Sequence, residues 1–537
     1  MNRRASAAVA VVCIGISGAV YMTAQSAQPG ALRQVAFLKA SNPNMFDHFG
    51  EGGALDGHIG NSVAVSGDGN TIAIAAQHEG SNATGINGNQ NDESTYNAGA
   101  VYVFVRSGAG WAQQAYVKAS NTGSGDQFGN YVALSADGNT MAVAAYWESS
   151  SATGINGNQA DDSIPQSGAV YVFTRTGTTW SQQAYIKASN TGNAGVGDVP
   201  GEGDQFGFSL AISDDGNTLA VGAPSEDSIT MGVNGDQRDN SASSAGAVYV
   251  YTRTGIAWSQ QAYIKSDAPP KATGGDQFGF SVALSANGST LAVGAYDEGG
   301  SARGINGTID MMRNGSGAGY VFTRTGTTWA RQAYLKAWNS EGGDSWGIAV
   351  ALSDDGNTMV LGSADEDCLC PGVVHAPSAV GDGDRQTDRS SGAAAVFTRN
   401  GTTWSQQAFI KASNASPNDW LAARMSLSGD GSTLLLGAQN EDSAAQGING
   451  RQDDNAADDS GAAYLFTRSG NTWSQQAYIK GSNTQQFDEF GGSVGISTDG
   501  RTLVMGARGE DSNARGVNGN QQDNSVDEAG AAYVFTR

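Results

Sequence analysis

Oxygen ligands are the chemistry this chain offers in quantity. Its 537 residues include 52 Asp and Glu against 29 Lys and Arg, a net charge of -23. Thirty of those acids fall in seven polar stretches built on variants of one pattern: Glu-Asp-Ser, a spacer, Gly-Ile/Val-Asn-Gly, then Gln and one or more Asp. One stretch places Asp227, Asn234, Asp236 and Asp239 together, another Asp442, Asn449, Asp453 and Asp454, and a third Asp511, Asn518 and Asp523. Carboxylate and amide oxygens on a glycine-rich loop suit a hard cation, so these residues are metal candidates and calcium is the one cofactor suggested. The competing use is local, because Asp and Asn also cap turns through their neighbours' backbone.

Groups for covalent or acid–base catalysis are scarce. There are four histidines, His48, His58, His78 and His375, and the first two lie in an insertion from Asp47 to Ile59. No His-Glu metal motif, nucleophile elbow or phosphate-binding Gly-Lys loop occurs, so no catalytic residue is assigned. A carboxylate-only hydrolase or lyase stays open as the alternative. Nucleic acid is excluded as a partner, because a field of this sign repels a phosphate backbone. Arg508-Gly509-Glu510-Asp511 looks like an adhesion tripeptide but falls inside a repeated pattern and carries no weight.

The first 26 residues read as a signal peptide: Arg3 and Arg4, an apolar run from Ala5 to Val20, and the small-x-small site Ala24-Gln25-Ser26. Residues 27–31 form a short linker. No later stretch reaches the roughly 20 apolar residues of a membrane span, so no transmembrane segment is expected after signal removal. Beyond the signal only Cys368 and Cys370 remain, a local clip or two free thiols.

Repetition dictates what must position the acidic stretches. Thr-Thr-Trp-Ser-Gln-Gln-Ala-Tyr-Ile-Lys-Ala-Ser recurs in variants around Trp111, Trp180, Trp258, Trp329, Trp404 and Trp473. Gly-Ala-Val-Tyr-Val-Phe-Thr-Arg and Ser-x-Asp-Gly-Asn-Thr-Leu-Ala-Val-Gly-Ala each recur seven times. In the third unit the pattern predicts strands at 206–213, 218–223, 247–253 and 258–265, the first pair joined by the turn Asp214-Asp215-Gly216-Asn217. Apolar residues on both faces of Ala-Val-Tyr-Val-Tyr predict a sheet packed between two others. Seven such units make an all-β, seven-bladed β-propeller of four-stranded antiparallel blades over residues 32–537. The chain begins with a lone fourth-strand block, Arg33 to Ala40, and stops after a third-strand block. The N-terminal strand is therefore expected to complete the last blade and close the ring.

Gly-Asp-Gln-Phe-Gly-Phe-Ser-Val-Ala-Leu-Ser followed by Leu-Ala-Val-Gly-Ala-Tyr resembles the FG-GAP repeat of the integrin alpha-subunit propeller, in its bacterial variant. Phe128-Gly129, Phe206-Gly207, Phe278-Gly279 and Phe490-Gly491 carry the FG element, and Gly222-Ala223-Pro224 carries GAP in full. Trp346-Gly347 and Trp420-Leu421 depart from it. The resemblance is specific for the fold and much less so for function. Its usual calcium loop is not carried over, because a turn such as Ser135-Ala136-Asp137-Gly138-Asn139 is too short to wrap a cation.

In a propeller the two-to-three and four-to-one loops share one face, which should here be acidic, with Arg175, Arg253, Arg324, Arg399 and Arg468 opposite. The Asp before each Phe-Gly (Asp126, Asp204, Asp276) is expected to form a turn, and the recurring Trp and Tyr to pack blades. Lys118, Lys187, Lys336, Lys411 and Lys480 are expected as outer-edge charges that block sheet-to-sheet aggregation. The reading that follows is a secreted, monomeric, non-enzymatic propeller that presents its acidic face to a protein or glycan ligand. It would be extracellular, on the cell surface or periplasmic. The alternatives are an extracellular hydrolase or lyase acting on polysaccharide or phosphoester, with the irregular loop Asp365 to Ser391 as its place, and a structural surface or matrix protein.

Overall fold

The protein is described by a computed structural model covering residues 31–51, 60–192, 203–268, 271, 275–368, 370, 372–377 and 390–537. The signal segment, residues 27–30 of the linker and His58 lie outside the described residues.

Seven antiparallel sheets form seven blades, and no α-helix occurs among the described residues. The third blade runs Ser209–Ile212, Thr218–Ala223, Ala247–Thr254 and Ala257–Ile264, in chain order from the axis outward. The innermost strand is shorter than its sequence predicts, because Phe206-Gly207-Phe208 forms a turn with Gly207 at φ +96°. The fifth blade adds a two-residue strand, Val373–Val374, beside its outer strand Thr403–Ile410.

Each strand feeds two cores because side chains alternate between faces. In the third blade Tyr249 and Tyr251 pack with Ala142, Val170 and Val172 of the second blade. Val248 and Val250 point the other way, toward Phe278, Leu291 and Val293 of the fourth. All four side chains are fully buried. This explains a central run that is apolar throughout.

The FG and GAP glycines meet across four of the seven seams, while Ala75, Ala144 or Ala422 takes one of the two places at the other three. A Cβ on Gly222 would stand 2.0 Å from the carbonyl oxygen of Gly279 in the next blade, and Gly279 itself takes φ +92°. Gly294, Gly437 and Gly506 approach Gly347, Gly491 and Gly50 equally closely. Only glycine allows that approach of backbone to backbone.

On the face of the short turns, a second seam repeats. Arg175 stacks over Trp180 with its guanidinium carbon 5.2 Å from the ring centroid, and both donate to Gln114 Oε1 of the preceding blade, at 3.1 and 3.0 Å. The same trio recurs as Arg253, Trp258 and Gln183, and as Arg399, Trp404 and Gln332. Recurring Trp and Tyr are therefore blade-packing residues, as their fixed register implies.

Closure of the ring follows the expected scheme. Arg33–Leu38 lies antiparallel on Ala531–Thr536 as the outer strand of the seventh blade, with Phe37 opposite Tyr533. Its Val35 and Gln34 interrupt the pairing with a bulge.

Candidate functional site

The two-to-three and four-to-one loops do share a face, stitched by backbone bonds such as Gln127 N–H to Asn97 O at 3.0 Å. The lysines at the ends of the fourth strands also reach this face, and here the sequence reading is corrected. Lys118, Lys187, Lys336, Lys411 and Lys480 are wholly buried rather than exposed at an edge. Each donates to the loop glutamate of its own blade: Glu79, Glu148, Glu298, Glu366 and Glu441, at 2.7–2.9 Å. Lys265–Glu226 and Lys39–Glu510 complete the set of seven.

The pairs are embedded in wider networks. Glu148 also receives Tyr185 Oη at 2.8 Å, Asn121 Nδ2 at 3.0 Å and the Ser150 N–H at 3.2 Å. Asn121 sits on the connection from the preceding blade and accepts a hydrogen bond from Tyr171, so the network crosses a seam. Burial pulls the Lys187 ammonium below its ordinary pKa, and Glu148 opposes that pull. A buried ion pair gains its balance from such additional hydrogen bonds. Seven of the 30 loop acids are thus structural.

The Asp before Phe-Gly behaves as expected of a turn-former. Asp126 Oδ2 accepts the Gly123 N–H at 2.8 Å. Asp204 Oδ2 accepts the Gly192 N–H at 3.2 Å, whereas Asp276 pairs with Lys271 at 3.3 Å; Asp344 and Asp419, ahead of Trp346-Gly347 and Trp420-Leu421, accept the N–H groups of Glu341 and Ser416 at 2.7 Å each. Burial, reinforced by Glu148, pushes the Asp126 carboxyl up to about 7. Burial likewise lifts Asp344 and Asp419 to about 8, with Glu366 and Glu441 adding to it.

The eleven metal candidates are engaged one by one with local donors. Asp227 accepts from Ser244 N, Asn234 from Tyr263 N, Asp236 from Arg238 N and Asp239 from Ile229 N, at 2.8–3.0 Å. Asp442, Asn449 and Asp454 accept from Asp459 N, Tyr478 N and Ala444 N, while Asp453 pairs with Arg451. Asp511, Asn518 and Asp523 accept from Glu528 N, Phe37 N and Ser525 N. These bonds shape the loops, and the structure does not converge the eleven onto a common point. Exposed carboxylates remain on corresponding loops of five blades: Glu93, Asp162, Asp236, Asp453 and Asp527.

Among the described residues, one set of three His, Cys, Asp or Glu side chains brings its ligand atoms within 4.8 Å of one another: His48, Glu51 and His78. It lies on the same face, where the first blade meets the seventh. His48 occupies the place that Gln127, Gln205 and Gln277 hold in other blades, with φ +54° like theirs. His48 Nδ1 lies 2.7 Å from His78 Nδ1 and 3.4 Å from Glu51 Oε2, and His78 Nδ1 lies 3.9 Å from that oxygen. His48 Nε2 meets Glu528 of the seventh blade at 2.8 Å. Arg508 clasps Glu489 with two donors and approaches Glu51 Oε1 at 3.6 Å. Burial would raise Glu51, but His48, His78 and Arg508 hold its carboxyl down at about 2. Sequence reasoning singled out His48 but not Glu51, three residues on, nor the pairing with His78, which comes from a different loop.

On the axis, a channel of about 230 Å³ is lined by the innermost strands, among them Val63, Leu134, Ile212, Leu284 and Leu352. Its lining side chains are mostly apolar, but polar atoms make up most of the surface that the channel exposes. In the irregular fifth loop, Cys368 and Cys370 form a disulfide, and His375 Nε2 accepts the Trp473 N–H at 3.0 Å. No helix among the described residues is long and apolar enough to cross a membrane.

Residues 111–173 and 473–535 match the family model of the FG-GAP repeat. No curated protein matches the chain. Among solved structures, a putative 6-phosphogluconolactonase from Bacteroides uniformis aligns with TM-score 0.39 at 11% identity, covering 78% of this chain and 85% of that one. The WD40 repeats of RRP9 align with TM-score 0.43 at 9% identity, covering 94% of this chain and all of that one. Two matched repeats and seven blades closed into one ring fit an FG-GAP repeat propeller.

Proposed function

We propose that this is an exported, non-enzymatic binding propeller that meets a protein or glycan ligand with its acidic loop face. The fold is that of a binding-type propeller in general. The observation that carries the finer reading is the display of exposed carboxylates Glu93, Asp162, Asp236, Asp453 and Asp527 on equivalent loops around one rim. Near-identical loops suit repeated weak contacts, whose avidity grows with the number engaged. Divalent cations such as calcium could bridge those carboxylates to an acidic glycan.

The test has two arms. Neutralising the five rim carboxylates to Asn or Gln should abolish salt-sensitive binding to basic proteins and to immobilised glycans. Equal binding by the neutralised variant sinks the proposal. Thermal unfolding in EDTA and then in millimolar calcium reads the cation arm. A calcium-dependent rise lost in an Asp442→Asn, Asp453→Asn, Asp454→Asn variant places calcium in the loops, and an unchanged midpoint removes it from the mechanism.

A further inference from the structure

We propose that His48, His78 and Glu51 form a site for a divalent transition-metal ion of the zinc class at the seam between the first and seventh blades. The geometry is that of a ligand triangle. Its edges are 2.7, 3.4 and 3.9 Å, and the point equidistant from the three atoms lies about 2.0 Å from each, within the range of zinc–nitrogen and zinc–carboxylate bonds. A metal at that point would lie in the plane of its three ligands, so a tetrahedral zinc, whose ligand atoms stand about 3.3 Å apart, requires the short His48–His78 edge to open on binding.

A second observation points to a ligand independently of the cluster. Glu51 is 3% exposed, and among the described residues its Oε2 has no donor in good hydrogen-bond geometry, although it faces the Nδ1 atoms of His48 and His78 at 3.4 and 3.9 Å. A buried carboxylate oxygen without a donor is costly, and a cation at the centre of the triangle removes that cost.

The surroundings are those of a supported metal site. His48 Nε2 lies against the Glu528 carboxylate at 2.8 Å, the kind of outer contact that orients a metal-binding imidazole, and a metal at Nδ1 would replace the hydrogen shared there between His48 and His78. Glu51 and Glu489 face Arg508, Glu528 faces His48, and Arg424 acts on Glu51 and Glu489 as a second guanidinium, so acidic and basic groups are close to balance and a bound dication would release a proton from the imidazole pair. Two imidazoles and one carboxylate select zinc, cobalt or nickel over calcium, which wants six to eight oxygens. The His78 side chain is 17% exposed, which leaves solvent or a bound partner's donor atom a route to a fourth position. Among the blades, only the first has histidine at both places: the equivalents of His78 are Trp147, Ser225, Asp297, Asp365, Asn440 and Gly509. The site is therefore single within a repeated molecule. It stands on different residues from the calcium candidates, so either reading can fail alone.

The test is metal titration of the EDTA-stripped full chain by calorimetry with zinc chloride, with Co²⁺ absorption as the spectroscopic readout. One equivalent of zinc is expected, with visible cobalt bands of a low-coordinate site that excess calcium does not quench. His78→Ala should weaken zinc at least 100-fold and abolish the cobalt bands. Glu528→Gln, acting through His48, should weaken it by about 10–100-fold. His375→Ala should leave it unchanged. Glu51→Gln tests the third ligand, but that residue is buried, so His78→Ala with unaltered circular dichroism decides the matter. Absence of zinc binding, undiminished binding by His78→Ala, or binding lost instead with Asp442, Asp453 and Asp454 would each overturn the proposal.

Discussion

Removing Glu148 tests whether the buried Lys–Glu networks hold the blades in place. Lys187 is wholly buried, and with Glu148→Ala its ammonium keeps only Ser167 Oγ, at 2.7 Å. A charge left buried without its partner costs about 3–5 kcal/mol, and this substitution also strands Tyr185 Oη and the Ser150 N–H, which puts it near the upper end. Lys187→Met is the milder change, near about 3 kcal/mol, because the carboxylate keeps Tyr185, Asn121 and Ser150 as donors. The double variant Glu148→Ala, Lys187→Met carries neither charge of the pair, so its cost should fall short of the sum of the two single costs by about 3 kcal/mol. Urea unfolding followed by tryptophan fluorescence and circular dichroism gives the midpoints, compared where the two probes coincide. Costs that add to within about 0.5 kcal/mol would refute the coupling, and a Glu148→Ala cost below about 1 kcal/mol would show that water reaches the pair.

Other expectations follow from the seams. Gly222→Ala forces a Cβ into the Gly279 carbonyl and should cost about 1–3 kcal/mol or more, read as a lower urea midpoint; Gly110→Ala, without positive φ and with nothing nearer than 3.9 Å to its Cβ, serves as the control for the change of residue alone. Asp126, Asp344 and Asp419 have pKa values raised on folding, so the folded state holds more protons than the unfolded one between about pH 4 and 8. Their contribution is complete below the unfolded value and disappears as pH rises through 7–8; thermal midpoints should fall across that window, and the triple Asp→Asn variant should flatten the fall. Trp180→Phe loses the bond to Gln114 and weakens stacking under Arg175, a cost of about 1–2 kcal/mol measured by the same unfolding assay.

Strands and blade order were legible because alternation and turn chemistry are local signals repeated seven times. Thr218–Ala223 is observed where the pattern predicts it, the two outer strands shift by one residue at their ends, and the innermost strand starts three residues late. The lysines were misread for an equally physical reason: a charge at the end of an outer strand looks solvated until its partner is known. That partner is 39 residues upstream, with Lys118–Glu79, Lys187–Glu148, Lys265–Glu226 and Lys480–Glu441 sharing the spacing. One Lys and one loop Glu at constant separation in most units was the signal that could have paired them. The His48–His78 contact left no such trace, because it joins the insertion after the N-terminal strand to a loop 30 residues on and occurs once.

The seventh blade borrows its outer strand from the far end of the chain, and that loan need not be internal. Arg33–Leu38 is tied to its blade by sequence-distant pairing alone, and a second molecule offers the identical acceptor edge on Ala531–Thr536. Tethering favours the internal partner by an effective concentration in the millimolar range, so a dilute chain closes on itself. In a crowded refolding mixture the same chemistry would knit neighbours together, each lending a strand to the next, and reciprocal exchange would yield a dimer of complete rings. The device that finishes one propeller is thus also the simplest route by which two become entangled.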